Sequence, residues 1–171
     1  MNGERRALSG VLSCWWQMEF RGFRAGDLDA MFALDELCFE GPFRFSWSMM
    51  HRFAEAKKAL VVVADEDGLA GFCIVHVERA EGVRVGYVVT LDVAERWRRK
   101  GIAAELMRRV EMDSRDAECE AMILHVSTGN AAAIRFYQRC GYERAGREAR
   151  FYGAGGDAWI YRKLLTVATR A

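Results

Sequence analysis

The residues best suited to chemistry form a short basic loop between an apolar run and an amphipathic segment. Its cationic members are Arg96, Arg98, Arg99 and Lys100. Gly101 and Ala103 follow, and their small size lets a bulky group approach the main chain. The first amides of a helix lack internal partners and lie at the positive end of its dipole. The loop therefore predicts a site for a phosphate or diphosphate.

Two elements must position this loop. Before it lies an apolar, largely β-branched run that predicts a strand buried on both faces. Its members are Val88, Val89, Thr90, Leu91 and Val93. After the loop, Ile102, Leu106 and Val110 recur four apart and predict a helix whose first turn includes Gly101. The loop matches neither G-x-x-x-x-G-K-[ST] nor G-x-G-x-x-G, which disfavours the usual nucleoside triphosphatases and dinucleotide enzymes.

Composition limits the classes of protein that remain. The 171 residues, 51% of them hydrophobic, suffice for one domain with a buried core. Lys and Arg number 25 against 24 Asp and Glu, so no overall field favours a nucleic-acid partner. Five widely spaced cysteines without C-x-x-C indicate reduced thiols in a cytoplasmic protein, and no histidine spacing indicates a metal. The sequence contains no run of about eighteen apolar residues, so it predicts no membrane-spanning helix.

From Met18 onward the sequence has the pattern of regular secondary structure. Residues 19–24 predict a strand, and residues 27–38 predict a helix capped by Asp27. The predicted inner face of this helix consists of Leu28, Met31, Leu34 and Leu37. Residues 1–17 are therefore expected to be an extension peripheral to function, and residues 18–171 the functional domain.

The following elements complete the predicted fold. Ser46 or Ser48 caps a second helix to about residue 59, and the turn at residues 65–68 joins two apolar strands. Residues 121–127 predict a strand, Asn130 caps a helix that Gly141 ends, and two strands over residues 142–151 and 158–165 close the chain. The order βααβββαβαββ predicts a single α/β domain with a mixed, mostly antiparallel sheet and helices on both faces.

An aromatic loop follows the first helix. Four aromatic residues lie within nine positions, namely Phe39, Phe43, Phe45 and Trp47. As a group they can line an apolar substrate cleft.

From Met18 to Leu165 the chain resembles the GCN5-related N-acetyltransferases, and most closely the RimI-like group that acetylates protein N-termini. Residues 98–103 match the family's R/Q-x-x-G-x-G/A signature. CFEGPFRFSW resembles the group's F-x-x-P-[FW] loop, LHVSTGNAAAIRFYQRCGY its L-x-V-x-x-x-N segment, and DAWIYRKL its closing strand. The resemblance implies the fold of that family and acetyl transfer as the activity.

The resemblance also implies how acetyl-CoA is held, in a V where the fourth and fifth strands splay apart. Main-chain groups of Leu91, Asp92 and Val93 are expected along the pantetheine arm, with a strand amide near Leu91 polarising the thioester carbonyl. Tyr137 is expected near the sulfur, as general acid or hydrogen-bond donor. The remaining expected cofactor contacts are Arg98, Arg99, Lys100, Gly101, Ile102, Ala103 and Asn130.

The expected base distinguishes two branches of the family. Bacterial RimI-type enzymes carry glutamate at the second position of L-x-V, where this chain has His125. Some eukaryotic N-terminal acetyltransferases instead resemble this chain, pairing L-H-V with a tyrosine in the central strand, here Tyr87. We therefore expect Tyr87 and His125 to deprotonate the amine through water, and which of them is the base stays open. A histidine, which titrates near neutral pH, suits an α-amine.

A peptide N-terminus is expected to enter between the aromatic loop and the last hairpin, beside Tyr87. One wall of this entrance is expected to consist of Phe39, Pro42, Phe43 and Phe45. Phe151 and Tyr152 match the aromatic pair of the group's final hairpin and are expected to form the other wall. An N-terminal methionine or small apolar residue would fit such a cleft.

Other functions remain open at this point. Glu36 and Glu40 leave room for acetylation of a small-molecule amine or a lysine side chain. A non-catalytic acyl-CoA-binding module is disfavoured because Tyr137 and Gly101 are both present, and the near-zero net charge disfavours a nucleic-acid module. We expect a monomer or a weak homodimer.

Overall fold

The secondary-structure elements follow the predicted order. The computed structural model describes residues 18–165, so the predicted extension at residues 1–17 lies outside the described residues. The strands are β1 (Glu19–Gly22), β2 (Ala59–Asp65), β3 (Leu69–Ala80), β4 (Val83–Val93), β5 (Ala121–Ser127), β6 (Glu143–Glu148) and β7 (Ala158–Leu164). The α-helices are α1 (Leu28–Cys38), α2 (Trp47–Ala54), α3 (Ile102–Asp116) and α4 (Ala131–Arg139).

One mixed sheet contains all of these strands, in the order β1-β2-β3-β4-β5-β7-β6. β4 and β5 are parallel, and the other neighbouring pairs are antiparallel. The predicted α/β fold with a mixed, mostly antiparallel sheet is thereby confirmed.

Helices cover both faces of the sheet, as predicted. Val63 and Ile74 pack with residues of α1 and α2 in one hydrophobic cluster. Val62 and Cys73, their neighbours in sequence, pack with residues of α3 in a second cluster. This division follows from the alternation of side chains along a strand. Among residues 18–165, no helix has the length and apolar character needed to cross a membrane.

The predicted inner face of α1 is wrong at its last position. Leu28, Met31 and Leu34 are buried, whereas Leu37 is 83% exposed. At about 100° per residue, position 37 lies opposite position 28, while position 35 returns to the inner face. Asp35 accordingly occupies the buried position and is fully inaccessible.

Two predicted elements end earlier than expected. α2, capped by Ser46, stops at Ala54 because a turn with the Ala59 amide bonded to the Ala56 carbonyl leads into β2. β6 stops at Glu148, before Phe151. There the Asp157 carboxylate accepts the Arg150 amide at 2.9 Å, and Arg150 adopts a positive φ of 53°. The aromatic pair at residues 151–152 therefore lies in a turn, and its position depends on that contact.

An ion-paired cluster joins β1, β2 and the start of α1. The Arg21 guanidinium donates to both oxygens of Asp27, at 2.7 and 2.8 Å, and to Asp65 at 2.7 Å. The same Asp27 carboxylate accepts the Arg24 amide at 2.8 Å, so Asp27 occupies the predicted N-cap position but caps the turn before the helix. These bonds, above all those from Arg21, hold the pKa of Asp27 below its ordinary value.

Asp27→Asn is expected to lower the free energy of unfolding at pH 7 by about 2 kcal/mol, because hydrogen bonds to charged groups are the stronger kind. Since the folded-state pKa of Asp27 is depressed, its contribution is present above the unfolded value, about pH 4, and is lost as pH falls through the folded value. Urea unfolding at pH 7 and at pH 3 measures both effects, and the difference from wild type should shrink at pH 3.

The matched control is Asp67→Asn. Asp67 is an exposed acid in the turn between β2 and β3, with a positive φ of 49° that asparagine tolerates. This variant should unfold like wild type at both pH values. A difference for Asp27→Asn that does not change with pH would contradict the electrostatic origin of the effect.

Candidate active site

The candidate site begins where β4 and β5 part. The two strands pair from Val85 with Ala121 to Val88 with Leu124, and β4 continues beyond that point without a partner on this side. A bulge in the pairing of β3 with β4 leaves Val89 as the extra residue at the fork. The predicted splayed strand pair is therefore present as a gap along the second half of β4.

Main-chain groups of β4 face this gap. The Ala94 amide donates to the carbonyl of Ala70, near the start of β3. Bonding groups alternate sides along an antiparallel strand, so the main-chain groups of Val93 and Leu91 point away from β3. The Val93 carbonyl accordingly accepts a bond from outside the sheet, from Arg98 Nε at 3.0 Å. Leu91 and Val93 thus offer main-chain donors and acceptors to an extended ligand.

The basic loop ends in a free helix N-terminus. Gly101 is the N-cap of α3 rather than part of its first turn, and its φ of +83° lies in the region that favours glycine. No side chain of residues 18–165 caps this helix, and its first intrahelical bond runs from the Glu105 amide to the Gly101 carbonyl. The amides of Ile102 and Ala103 precede that bond and are therefore available to an anion.

The basic side chains of the loop have different surroundings. Arg98 braces the loop, because its guanidinium also donates to Cys38 Sγ at 3.6 Å in addition to the Val93 carbonyl. Lys100 lies 4.5 Å from the centre of the Trp97 ring, and Arg99 is exposed. Arg99 and Lys100 thus remain at the surface beside the helix N-terminus, where their charge favours an anion.

A chain of three polar side chains crosses the fork. The Tyr87 hydroxyl on β4 lies 3.1 Å from Nδ1 of His125 on β5. Nε2 of His125 lies 3.0 Å from the carboxylate of Glu148, the last residue of β6. Sequence analysis placed Tyr87 and His125 together from the family resemblance, and the structure brings them into hydrogen-bond contact.

The proton positions in this chain follow from its chemistry. A carboxylate only accepts, so Nε2 of His125 must donate to Glu148. In the neutral ring Nδ1 then carries the lone pair, and the Tyr87 hydroxyl donates to it. Burial raises the pKa of the Tyr87 phenol well above its ordinary value, with Tyr152 adding to the shift. Tyr87 therefore keeps its proton at neutral pH.

The His125 ring is also held by the turn after β6. Phe151 stacks on it with parallel planes and centroids 4.0 Å apart. The Tyr152 hydroxyl donates to the His125 carbonyl at 3.2 Å, and burial raises the pKa of Tyr152 to about 12. On its other side, Tyr152 contacts Phe43 of the aromatic loop, with ring centroids 4.8 Å apart. The two predicted walls therefore meet at Phe43 and Tyr152.

The other members of the aromatic loop have different positions. Phe45 packs edge-on against Phe53, 5.1 Å between centroids, in the hydrophobic cluster below α1 and α2. Phe39 is half-buried, and Pro42 is exposed in the short 3-10 turn that contains Phe43. The structure thus brings Phe43 beside the hairpin, whereas Phe45 anchors the loop.

Buried Asp35, which sequence analysis assigned no role, supports this loop. Its carboxylate accepts the Phe45 amide at 2.9 Å. Arg44 bonds the carbonyls of Phe39 and Glu36 at 2.9 and 2.7 Å. Burial raises the pKa of Asp35 and also that of Asp92, whose side chain accepts the Thr90 hydroxyl. A buried acid at the end of a helix gives no local sequence signal, because its partner is a loop amide ten residues away.

Tyr137 and Asn130 belong to the segment around α4. Asn130 caps this helix, its side-chain oxygen accepting the Ala133 amide at 3.0 Å. Tyr137 contacts the rings of Phe136 and Tyr142, and burial raises its pKa so that the hydroxyl stays protonated at neutral pH. Its hydroxyl has no hydrogen-bond partner among the described residues. Tyr137 is thus in the protonation state that a proton donor requires.

Sequence analysis missed Glu148 altogether. It is one charged residue among several in the segment ERAGREAR, and its contact with His125 spans 23 residues. Only the pairing of β5, β7 and β6 brings the two together. Within residues 18–165 no group of three or more His, Cys, Asp or Glu side chains is arranged to hold a metal ion.

Comparisons with known proteins agree with this geometry. The profile of the Acetyltransferase (GNAT) family matches residues 28–142. The chain is 29% identical to the N-terminal acetyltransferase A complex catalytic subunit NAA10 of Arabidopsis thaliana, over 81% of this chain and 73% of that protein.

Two solved structures share the fold. The ribosomal-protein-S18-alanine N-acetyltransferase from Escherichia coli has a TM-score of 0.77 at 18% identity, over 90% of this chain and 97% of that one. Arabidopsis thaliana NAA60 in complex with acetyl-CoA has a TM-score of 0.77 at 23% identity, over 86% and 98%.

A sheet that opens between its parallel strands beside a free helix N-terminus defines the acetyltransferase class of fold. Because the family profile covers more than half of its length, the chain belongs to the Acetyltransferase (GNAT) family. It is an acetyltransferase.

Gly101→Val is expected to weaken binding of coenzyme A at least about tenfold, because a branched side chain both opposes the positive φ and blocks the approach of a diphosphate to the helix amides. Isothermal titration calorimetry with coenzyme A measures the change.

Gly68→Val provides the control for backbone strain. Gly68 also has a positive φ, +117°, but lies in the open turn between β2 and β3. This variant should lose stability and keep the affinity of wild type. Equal affinities for the two variants would show that residues 98–103 do not hold the pyrophosphate.

Proposed function

We propose that this acetyltransferase transfers acetyl from acetyl-CoA to the α-amine of a protein or peptide N-terminus. The observation that carries the proposal is the contact of Tyr87 with His125 at the mouth of the gap between β4 and β5. The names of the relatives support it, since the Arabidopsis protein is a catalytic subunit of an N-terminal acetyltransferase and the Escherichia coli enzyme is named for the alanine of a ribosomal protein.

Acetyl-CoA lies along the open side of β4 in this proposal. The amides of Ile102 and Ala103 hold the pyrophosphate, and Arg99 and Lys100 add positive charge beside it. The main-chain groups of Leu91 and Val93 bond to the amides of the pantetheine arm, much as an added strand does. An amide of β4 near Leu91 then stabilises the negative charge that develops on the thioester oxygen.

The amine loses its proton through the polar chain at the fork. Tyr87 is too weakly acidic to act as a free phenolate, but its oxygen has a lone pair that accepts a proton from the amine or from an intervening water. Its own proton passes to Nδ1 of His125 at 3.1 Å. Tyr87 gains one proton from the amine and gives one to His125, so Tyr87 ends neutral and His125 ends as the imidazolium.

The departing thiolate of coenzyme A needs a proton. Tyr137, which keeps its hydroxyl proton at neutral pH, is the proposed donor to the sulfur. Asn130 supports this step by fixing the start of the helix that carries Tyr137. The tyrosinate then takes a proton from solvent and the His125 imidazolium releases one to solvent, so both groups return to their starting states. The reaction is direct attack of the amine on the thioester in a ternary complex.

The substrate end of the site is apolar. Phe43 and Tyr152 close one side of the entrance, and Phe151 packs against Tyr152. Pro42, in the same turn as Phe43, and Phe39 at the start of the loop are the further proposed wall residues. Such walls favour a peptide whose first side chain is apolar or small. The exposed carboxylates of Glu36 and Glu40 at the outer rim of the loop are the feature that would instead favour a small-molecule amine or a lysine side chain.

Two further properties belong to the proposal. The described cysteines are free thiols, and Cys73 and Cys119 are buried, which suits the reducing cytoplasm. We propose a monomer or weak homodimer, and sedimentation of the purified chain over a range of concentrations tests this.

Turnover of acetyl-CoA should be confined to free peptide N-termini. The panel contains short peptides that differ in their first two residues, each in free and N-blocked form, together with spermidine and an N-blocked peptide containing one lysine. Mass spectrometry of the products locates the acetyl group. Acetylation of only the lysine peptide or spermidine would refute the substrate class and retain the acetyltransferase.

Tyr87→Phe should lower kcat about a hundredfold, the range typical of a lost acid or base group, because the ring remains and the proton path is cut. The KM for acetyl-CoA should stay unchanged. Tyr161→Phe on β7 is the control, since among the described residues that hydroxyl has a single long contact, of 3.5 Å, with Gln138. A variant Tyr87→Phe with the kcat of wild type would remove Tyr87 from the mechanism.

A further inference from the structure

We propose that Glu148 is a positioning residue that acts on the reaction through His125. It holds the imidazole with Nδ1 directed at Tyr87 and balances the positive charge that the ring acquires when it takes the proton. This inference rests on the proposed proton path from the amine through Tyr87 to His125.

The sheet register explains how a residue of the edge strand reaches the fork. His125 on β5 lies opposite Ile160 on β7, and Glu148 on β6 lies opposite Ala158 on the same strand. Residues two apart on β7 point to the same face, so His125 and Glu148 face the same side in a diagonal relation. On this face β7 presents Ile160 beside His125 and the small side chain of Ala158 beside Glu148. The Glu148 carboxylate therefore reaches Nε2 of His125 at 3.0 Å across β7.

This contact determines which ring nitrogen of His125 accepts the hydrogen bond from Tyr87. Because Glu148 can only accept, Nε2 carries the proton in the neutral ring and Nδ1 is left as the acceptor for Tyr87. Phe151 stacks on the same ring and limits its rotation, but an aromatic face does not distinguish the two nitrogens. Glu148 thus determines which nitrogen carries the proton, a distinction that the packing of Phe151 on the ring does not make.

The contact also assists the step itself. Proton transfer converts neutral His125 into an imidazolium, whose positive charge then lies within hydrogen-bond distance of a carboxylate. The other titratable groups that contact His125 are Tyr87 on β4, whose hydroxyl meets the ring, and Tyr152 in the turn after β6, whose hydroxyl meets the main-chain carbonyl. Burial raises the pKa of both, so both are neutral at pH 7. Glu78 on β3 acts on Tyr87 through its charge. Glu148 is the charged partner that contacts the ring directly.

Glu148→Ala and Glu148→Gln separate the two effects. Alanine removes both the acceptor and the charge, so kcat should fall roughly fivefold to tenfold, a modest loss because the Glu148 side chain is 52% exposed. Glutamine keeps an acceptor oxygen and should retain most of kcat. In both variants the acid limb of the kcat/KM profile should move to lower pH by roughly half a unit, because the imidazolium has lost its counter-charge.

The matched control is Glu143→Ala. Glu143 lies on the same edge strand, is also exposed, and faces Arg162 on β7 rather than the fork. This variant should keep the kcat and the pH profile of wild type. The KM values for acetyl-CoA and for the peptide should stay unchanged in all three variants, because Glu148 acts through His125 and contacts neither substrate.

Nuclear magnetic resonance of the His125 ring nitrogens tests the proposal without any substrate. The chain has three histidines, so the ring nitrogens of His125 can be assigned by comparison with His125→Ala. Wild type and Glu148→Gln should show a protonated Nε2 and an unprotonated Nδ1, whereas Glu148→Ala should show a changed ring environment with loss of the Nε2 proton signal to exchange.

Three results for Glu148→Ala would overturn the proposal. The first is a kcat and an acid limb equal to those of wild type, and the second is an effect confined to the KM for peptide. The third is a set of His125 ring signals unchanged from wild type. These results differ from a failure of the proposed function. A wild-type enzyme that acetylates only lysine would refute the N-terminal substrate, and the Glu148 variants would then be measured on that lysine peptide.

Discussion

The parting of β4 from β5 is the constraint on which the rest of the site depends. Main-chain groups that face a gap need partners, and a strand that loses its neighbour at Val88 exposes several of them. The chain satisfies one of these groups itself, since the Val93 carbonyl bonds Arg98. That bond places the basic loop, and with it the start of α3, at the end of the gap. The opening of the sheet and the anion site are thus one arrangement.

The fork also brings the two proposed catalytic side chains together. Tyr87 lies opposite Ile123 within the last paired residues, and His125 lies two residues beyond Ile123 on the same face of β5. If β4 and β5 stayed paired beyond Val88, the continuing strands would lie between a ligand and the side chains of Tyr87 and His125. Because the strands separate at this point, their side chains remain in contact while the space beyond them opens to a substrate.

The sequence predicted the fold and the Tyr87–His125 contact more fully than it predicted their supports. β5 matches its predicted bounds, because an alternating apolar strand is a local signal. Glu148 and Asp35 were missed, since each acts on a residue distant along the chain through a contact that only the sheet register or a helix end creates. Leu37 was wrongly predicted on the inner face of α1 because leucine is usually buried. The helical period instead places Asp35 on that face.

Two polar contacts then fix the walls of the substrate entrance relative to the fork. Asp35 holds the Phe45 amide from below, and Tyr152 bonds the His125 carbonyl from the other side. Phe43 and Tyr152 touch each other, so neither wall moves without breaking a partly buried hydrogen bond. A buried acid such as Asp35 is costly unless it is bonded, and this bond joins α1 to the aromatic loop. The proposed entrance is therefore preorganised, and under the proposed function selection among peptides rests on shape rather than on adaptation of the loop.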